Sequence, residues 1–261
     1  MRNMPTEEAT PRHQMNRLLR RAGLPHAPDT GQLPVGDRLL SPRTVIETLR
    51  PFMRARRMER LASVVRQRTR TVIPVIEGLV NTGNVSAVMR SAEGLGYQEL
   101  HVVEGNHERY KHSQRTAQGA GQWLDVHRWE TPAACADALH ARGYQILTLY
   151  LSDAARPLTD VDCTQPTALV VGNEKNGVTD AMRAAADGDV VIPMHGFTES
   201  FNVSVAAALA LYQAQQDRLQ RQGYHADLSE AAQEHLLARF CLQSVRHAAR
   251  IIDRELPATS S

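Results

Sequence analysis

"TALVVGNEKNGVTDAM", Thr167–Met182, is the stretch on which the fold turns. A short, mostly apolar β-favouring run meets a glycine, a polar turn and a second glycine, then a segment with helical spacing. A strand that feeds a helix through a tight turn is half of a parallel-sheet unit. Outward from it the same texture recurs. "TVIPVIEGL" (71–79), "ELHVVE" (99–104), "YQILTLY" (144–150) and "DVVIP" (189–193) are short β-rich runs. Helical patterns lie between them near 84–95, 131–142 and 178–187, and a long one spans 202–222. Near-continuous apolar strands alternating with helices predict an α/β fold, with a parallel sheet flanked by helices on both faces.

The chain has 261 residues, of which 42% are apolar and only 5% aromatic, so its core is aliphatic. Net charge is +2, but it is unevenly spread. Residues 1–70 carry 15 arginines against six acids, a local +9, and the remainder carries −7. Such asymmetry marks a nucleic-acid-facing arm on an acidic body. Eight of those arginines fall between Arg50 and Arg70, opposed only by Glu59. The pattern from Pro42 to Arg70 reads as helical. A phosphate-binding surface, with Arg54, Arg56, Arg57 and Arg60 as its RNA contacts, accounts for the lack of acids. A solvated helix face is the other reading. Ahead of it, residues 1–42 are rich in Pro, Gly and charge, with one short helical candidate at Gln14–Ala22.

Beyond 222 a further helix is expected near Asp227, where "DLSE" has the form of a capping box. Its apolar stripe is Leu237, Cys241, Val245, Ala248 and Ile252, with Arg239, Arg246, Arg250 and Arg254 on the other face. The chain thus divides into a basic helical arm (1–70), an α/β domain (71–222) and a C-terminal helical extension (223–261). The three cysteines, Cys135, Cys163 and Cys241, have no metal-ligand spacing and read as buried thiols of a reducing compartment. No apolar run is long enough to span a membrane, and a cytoplasmic protein is expected. No GxGxxG follows a strand, and no GxxxxGK[ST], HExxH or G-x-S-x-G exists. His107 and His112, five apart, read as surface residues, and no metal is expected.

Three places remain where an apolar strand runs into a polar turn and then a helix: "VIEGLVNTGNVSAVMRSAEGLG", "ALVVGNEKNGVTDAM" and "IPMHGFTESFNVSVAAALALYQ". Ligands of open parallel sheets bind beyond the carboxyl ends of the strands, so three such turns can converge on one crevice. Each also has a plainer reading. Asn84 sits where a helix begins and can cap it, with Arg90 a surface charge. Gly172 and Gly177 bracket an ordinary turn or let backbone approach a flat ligand. Ser200 and Asn202 can both cap the helix that follows.

"NTGNVSAVMR", "VVGNEKNGV" and "VVIPMHGFTESFNVSVAAALALYQ", in this order, resemble the three signature motifs of the SpoU/TrmH family of RNA ribose 2′-O-methyltransferases, in the SPOUT superfamily. The resemblance covers roughly residues 72–222, and the flanks are similar to those of the tRNA (guanosine 2′-O)-methyltransferase branch. It implies a C-terminal segment threaded as a deep trefoil knot, S-adenosylmethionine as cofactor, RNA as substrate and a homodimer that completes each active site. By match to the motifs, Asn84, Arg90, Glu174, Ser200 and Asn202 are the catalytic residues. Gly172, Asn173, Gly177, Ile192, Met194, Phe201 and Ser204 are the cofactor contacts. Gly83 stands where related tRNA enzymes often carry a bulkier residue, and Phe201 where Leu is common.

The implied chemistry is transfer of a methyl group from a sulfonium to a ribose 2′-hydroxyl, in which positioning supplies much of the rate. A guanidinium stays protonated below about pH 12. The resemblance implies Arg90 as the base, a role that would demand exceptional perturbation; the milder reading is that it holds phosphate and stabilises the developing alkoxide. The D-loop guanosine of tRNA is the expected target. Ribosomal RNA, in housekeeping or antibiotic resistance, is the first alternative, and a non-catalytic RNA-binding protein on the same scaffold is the second.

Overall fold

The computed structural model describes residues 31–78, 81–104, 119–173, 176–198 and 200–256. The helical candidate at Gln14–Ala22 and the pair His107 and His112 lie outside them. Two compact units emerge, one from residues 67–227 and one from the two flanks together, 1–66 with 228–261.

The flanking unit opens with a hairpin of β1 (Leu33–Val35) and β2 (Arg38–Leu40), turned at Gly36 with φ +60°. Helix α1 (Pro42–Leu49) follows; Ser41 caps it by accepting from the Thr44 amide at 3.1 Å, and Pro42 occupies a first-turn position that needs no donor. The expected single helix over 42–70 is interrupted. Pro51 cannot donate within a helix, so the chain makes one 3₁₀ turn (Arg50–Phe52) before α2 (Ala55–Val65). Val45, Leu49, Leu61 and Val65 are buried where α1 and α2 pack against α7 (Glu230–Ser244). Ser229, not Asp227, caps α7, accepting from the Ala232 amide at 3.2 Å. The expected stripe is also broken. His247 adopts φ +58°, an uncommon conformation for a side-chain-bearing residue, and separates α7 from α8 (Ala248–Glu255).

The second unit is a seven-stranded sheet in which every pairing is parallel. Its strands are β3 (Val72–Glu77), β4 (Glu99–Val103), β5 (Asp125–Trp129), β6 (Gln145–Leu149), β7 (Arg156–Pro157), β8 (Thr167–Val171) and β9 (Gly188–Val191). Their spatial order is β5-β4-β3-β8-β6-β9-β7. All residues of β3, β4 and β8 are buried, which is why these runs lack polar alternation. The helices are α3 (Thr82–Gly94), α4 (Pro132–His140), α5 (Asp180–Ala185) and α6 (Val203–Gln222).

The two faces bury separate clusters. Val72, Ile76, Leu169 and Val171 pack with Val85, Val88 and Met89 of α3 and Val203, Ala207 and Leu211 of α6. The alternate residues Ile73, Val75, Ala168 and Val170 pack with Cys135 and Leu139 of α4 and Met182 of α5. The sheet matches the predicted class. The reading of runs missed β5 and β7: "DVHRW" is a half-exposed edge strand with charged residues, and β7 has two residues.

Candidate active site

Because all seven strands run in one direction, the turns after β3, β8 and β9 open at the same, carboxyl edge of the sheet. The first turn leads into α3. Its cap is Asn81, whose Oδ1 accepts from the Gly83 amide at 2.8 Å. Asn84 is therefore inside the first helical turn and not the cap, its amide donating to the Asn81 carbonyl at 3.1 Å. A Cβ on Gly83 would come 2.9 Å from Asn81 Oδ1, so a larger residue there would push the capping side chain aside. Arg90, two turns into α3, is exposed. Among the described residues no carboxylate pairs with it.

The second turn folds back on itself. Asn173 and Gly177 exchange backbone hydrogen bonds of 2.9 and 2.8 Å, and Gly177 takes φ +68°. A Cβ on Gly172 would collide with the Gly177 carbonyl and the Val178 nitrogen. Both glycines are thus required by backbone geometry. The Asn173 side-chain amide donates to the Gly78 carbonyl at 2.9 Å, tying the second turn to the first. Thr179 caps α5 and also donates from its amide (2.9 Å) and hydroxyl (2.5 Å) to the two oxygens of Glu77, the last residue of β3. Glu77 is 2% exposed. The sequence reading did not single out Glu77 or Thr179; the available signal was a carboxylate closing the otherwise apolar run "TVIPVIE". Glu174 lies outside the described residues.

The third segment leaves β9, with Ile192 packed against the core and Met194 half-buried. Of the two capping candidates, Asn202 caps α6, its Oδ1 accepting from the Ser204 amide (2.9 Å) and hydroxyl (2.6 Å). Ser200 is exposed and is not the cap of α6. Helix α6 packs on α3, and its early residue Val203 shares a buried cluster with Val85 of α3. Phe201, Val205, Leu209 and Tyr212 are 38–53% exposed. Val205, Leu209 and Tyr212 fall in one stripe along the outside of α6, and Phe201 precedes the helix.

A different group of charges lies near the amino-terminal ends of the strands. Glu99, fully buried, accepts from both terminal nitrogens of Arg142 (2.5 and 2.9 Å) and from His101 Nε2 (2.8 Å). His101 Nδ1 accepts from the Trp129 indole at 3.0 Å, so both imidazole nitrogens are engaged in a neutral ring. Burial raises the Glu99 pKa, but hydrogen bonds from His101 and Arg142 outweigh it and hold the carboxyl well below its usual range. Burial pushes His127, beside it, down to about 4. Glu99, His101 and His127 bring their ligand atoms within 4.8 Å of one another. With the guanidinium of Arg142 already on the carboxylate, however, the cluster is a neutralised ion network rather than a cation site. Arg68 and Arg70 belong to such networks too, paired with Glu93 (2.6 Å) and Asp125 (2.7 Å) and almost fully buried. They are not part of the exposed basic run predicted for 50–70.

Among the described residues, no helix is long and apolar enough to cross a membrane. Residues 71–212 match the model of the SpoU rRNA Methylase family. The chain is 36% identical over 188 residues, 71% of its length and 82% of the relative's, to the tRNA (guanosine(18)-2′-O)-methyltransferase of Escherichia coli (strain K12). The crystal structure of the A. aeolicus TrmH/SpoU tRNA modifying enzyme superposes with a TM-score of 0.67 at 32% identity, covering 73% of this chain and 98% of that one. The SpoU methyltransferase AviRb from Streptomyces viridochromogenes, solved in complex with AdoMet, superposes with a TM-score of 0.53 at 29% identity over 57% of this chain and 60% of that one.

Proposed function

The chain belongs to the SpoU rRNA Methylase family, and from that premise we propose that it methylates the 2′-hydroxyl of a guanosine ribose in tRNA. One observation carries the reading. In the turn after β8, Gly172 and Gly177 let backbone close on backbone, and Asn173 ties that turn to the one that feeds the helix of Asn84 and Arg90. A tightly closed turn tied to the polar start of α3 suits a cofactor next to a ribose.

S-adenosylmethionine, as in the AviRb complex, supplies the methyl group. Gly172, Asn173 and Gly177 would hold it, with Ile192, Met194, Phe201 and Ser204 from the third segment. Arg90, exposed and without a carboxylate partner among the described residues, suits an RNA phosphate and the oxygen that gains charge as its proton leaves. Asn84 and Ser200 would orient the ribose, Asn202 fixes the start of α6, and Glu174 is a catalytic candidate by its match to the family motif.

The knot of the family suits the strand order. β8 enters between the earlier strands β3 and β6, and the chain returns after β9 to pack α6 on α3. A homodimer suits the exposed apolar stripe of α6. The exposed Arg54, Arg56, Arg57 and Arg60 suit phosphate contacts along a folded tRNA, and work on tRNA places the protein in the cytoplasm. The substrate of the E. coli relative, matched over most of its length, favours tRNA over ribosomal RNA. Nucleoside mass spectrometry of tRNA and ribosomal RNA from cells with and without the gene tests this. Loss of 2′-O-methylguanosine from tRNA is expected; its loss from ribosomal RNA alone would overturn the tRNA assignment.

A further inference from the structure

We infer that Glu77 is a positioning residue, whose carboxylate holds the turn after β8 in the shape that receives S-adenosylmethionine. The inference rests on the methyltransferase reading above. Glu77 and Gly78 are neighbours at the end of a central strand, and together they grip both ends of the turn. Gly78 takes the Asn173 amide at 2.9 Å, and Glu77 takes the Thr179 amide and hydroxyl at 2.9 and 2.5 Å. The same Thr179 oxygen accepts from the Met182 amide at 3.2 Å, so one side chain both starts α5 and closes the turn.

The carboxylate is an expensive choice for that position. Among the described residues no cation pairs with it, and it is satisfied by neutral donors in a buried setting. Another valine or isoleucine would extend "VIPVI" without that desolvation cost. What the carboxylate adds is a fixed distance between two parts of the site. Five residues after Glu77 begins α3, which carries Asn84 and Arg90, and the gripped turn carries Gly172 and Gly177. Contacts made through the backbone of a turn depend on how well that turn is held.

The test uses the full-length protein with Glu77→Ala, Thr179→Val, the double variant and the conservative changes Glu77→Gln and Thr179→Ser. S-adenosylmethionine affinity is measured by calorimetry, methyl transfer by steady-state kinetics and local order by hydrogen exchange. Each disruptive single variant is expected to weaken S-adenosylmethionine binding and raise its KM about tenfold, while kcat at saturation stays within about threefold. The double variant is expected to be no worse than the poorer single, since both break one linked contact. Glu77→Gln and Thr179→Ser recover most of the affinity, and exchange quickens at 176–182 while β3 and β8 keep their protection.

An unmoved KM, multiplicative losses in the double variant, or a fall in kcat that tracks loss of protection across the whole sheet would overturn the inference and leave Glu77 as a support of the fold. If the wild-type protein itself binds no S-adenosylmethionine, the methyltransferase reading fails and the inference with it. If wild type binds and the variants bind equally well, the inference alone fails.

Discussion

In the unit of residues 67–227, Arg68, Arg70, Arg142 and Arg218 are largely buried and each meets a carboxylate. In the unit built from the flanks, Arg50, Arg54, Arg56, Arg57, Arg60 and Arg66 are exposed, and Glu59 is the sole acid of α2. In sequence the run from Arg50 to Arg70 looks continuous. The fold cuts it between Arg66 and Arg68: on one side arginine solvates a helix surface, on the other it neutralises the interior. A guanidinium can do either, and what separates the two uses is whether a buried carboxylate waits for it.

The comparison breaks most sharply if an interior arginine proves dispensable. Arg142→Ala removes the close cation from buried Glu99 and leaves it the His101 hydrogen bond and Arg70 at 3.9 Å, and it is expected to cost about 3 kcal/mol in denaturant unfolding. An unfolding midpoint close to wild type would show that the network does not hold the unit together. Arg90→Ala, on the edge where chemistry is proposed, should leave stability nearly intact. It is expected to lower kcat about 100-fold, roughly 2.7 kcal/mol, with S-adenosylmethionine affinity within a few-fold. Arg90→Lys keeps the charge and loses the planar fork, so turnover near wild type would remove any requirement for guanidinium geometry.

Acid sharpens the contrast further. Burial, joined by the Arg218 cation, pushes His225 down to about 4, and burial pushes His127 to about 4. Unfolded, each histidine titrates near 6.5. Between about pH 6.5 and 4 the unfolded chain therefore binds protons that the folded one refuses, and stability falls as pH falls. Glu99 has the usual carboxylate sign: its contribution is present above the unfolded pKa and is lost as pH drops through its lowered folded value. Both effects belong to residues 67–227. Unfolding followed against pH should show His127→Gln flattening the decline between 6.5 and 4; an unchanged profile would count against the assignment. At the exposed end, replacing Arg54, Arg56, Arg57 and Arg60 together with Gln should move stability by less than about 0.5 kcal/mol per site. The same change should weaken tRNA binding about tenfold at moderate salt and flatten its salt dependence. Unaltered tRNA affinity would remove these arginines from the RNA surface.

What was legible in sequence follows from where the physics is local. The five apolar runs became β3, β4, β6, β8 and β9 because strands buried on both faces can hardly be written otherwise. Gly172 and Gly177 were legible as a tight turn for a similar reason. The pairing of the two flanks was not: α1 and α2 pack on α7, which begins 181 and 165 residues after they end, and no periodicity carries partner choice. Edge strand β5 hid behind its charges. Asn81 took the cap expected of Asn84, and Ser229 the one expected of Asp227. Asp227 is drawn instead to Arg218 at 2.5 Å, a contact made by folding. Glu77 was invisible because its meaning lies in Thr179, a residue 102 positions on.

The central claim is that the carboxyl edge of this sheet places a methyl group on a ribose oxygen of tRNA. Incubating wild-type protein and tRNA with methyl-labelled S-adenosylmethionine, then hydrolysing the RNA in alkali, tests it most directly. A free 2′-hydroxyl lets alkali cleave the adjacent phosphodiester, and a 2′-O-methyl group blocks it. The account predicts label in alkali-resistant dinucleotides whose 5′ residue is guanosine, absent with Arg90→Ala. Label recovered in mononucleotides, and so carried on a base, would contradict it.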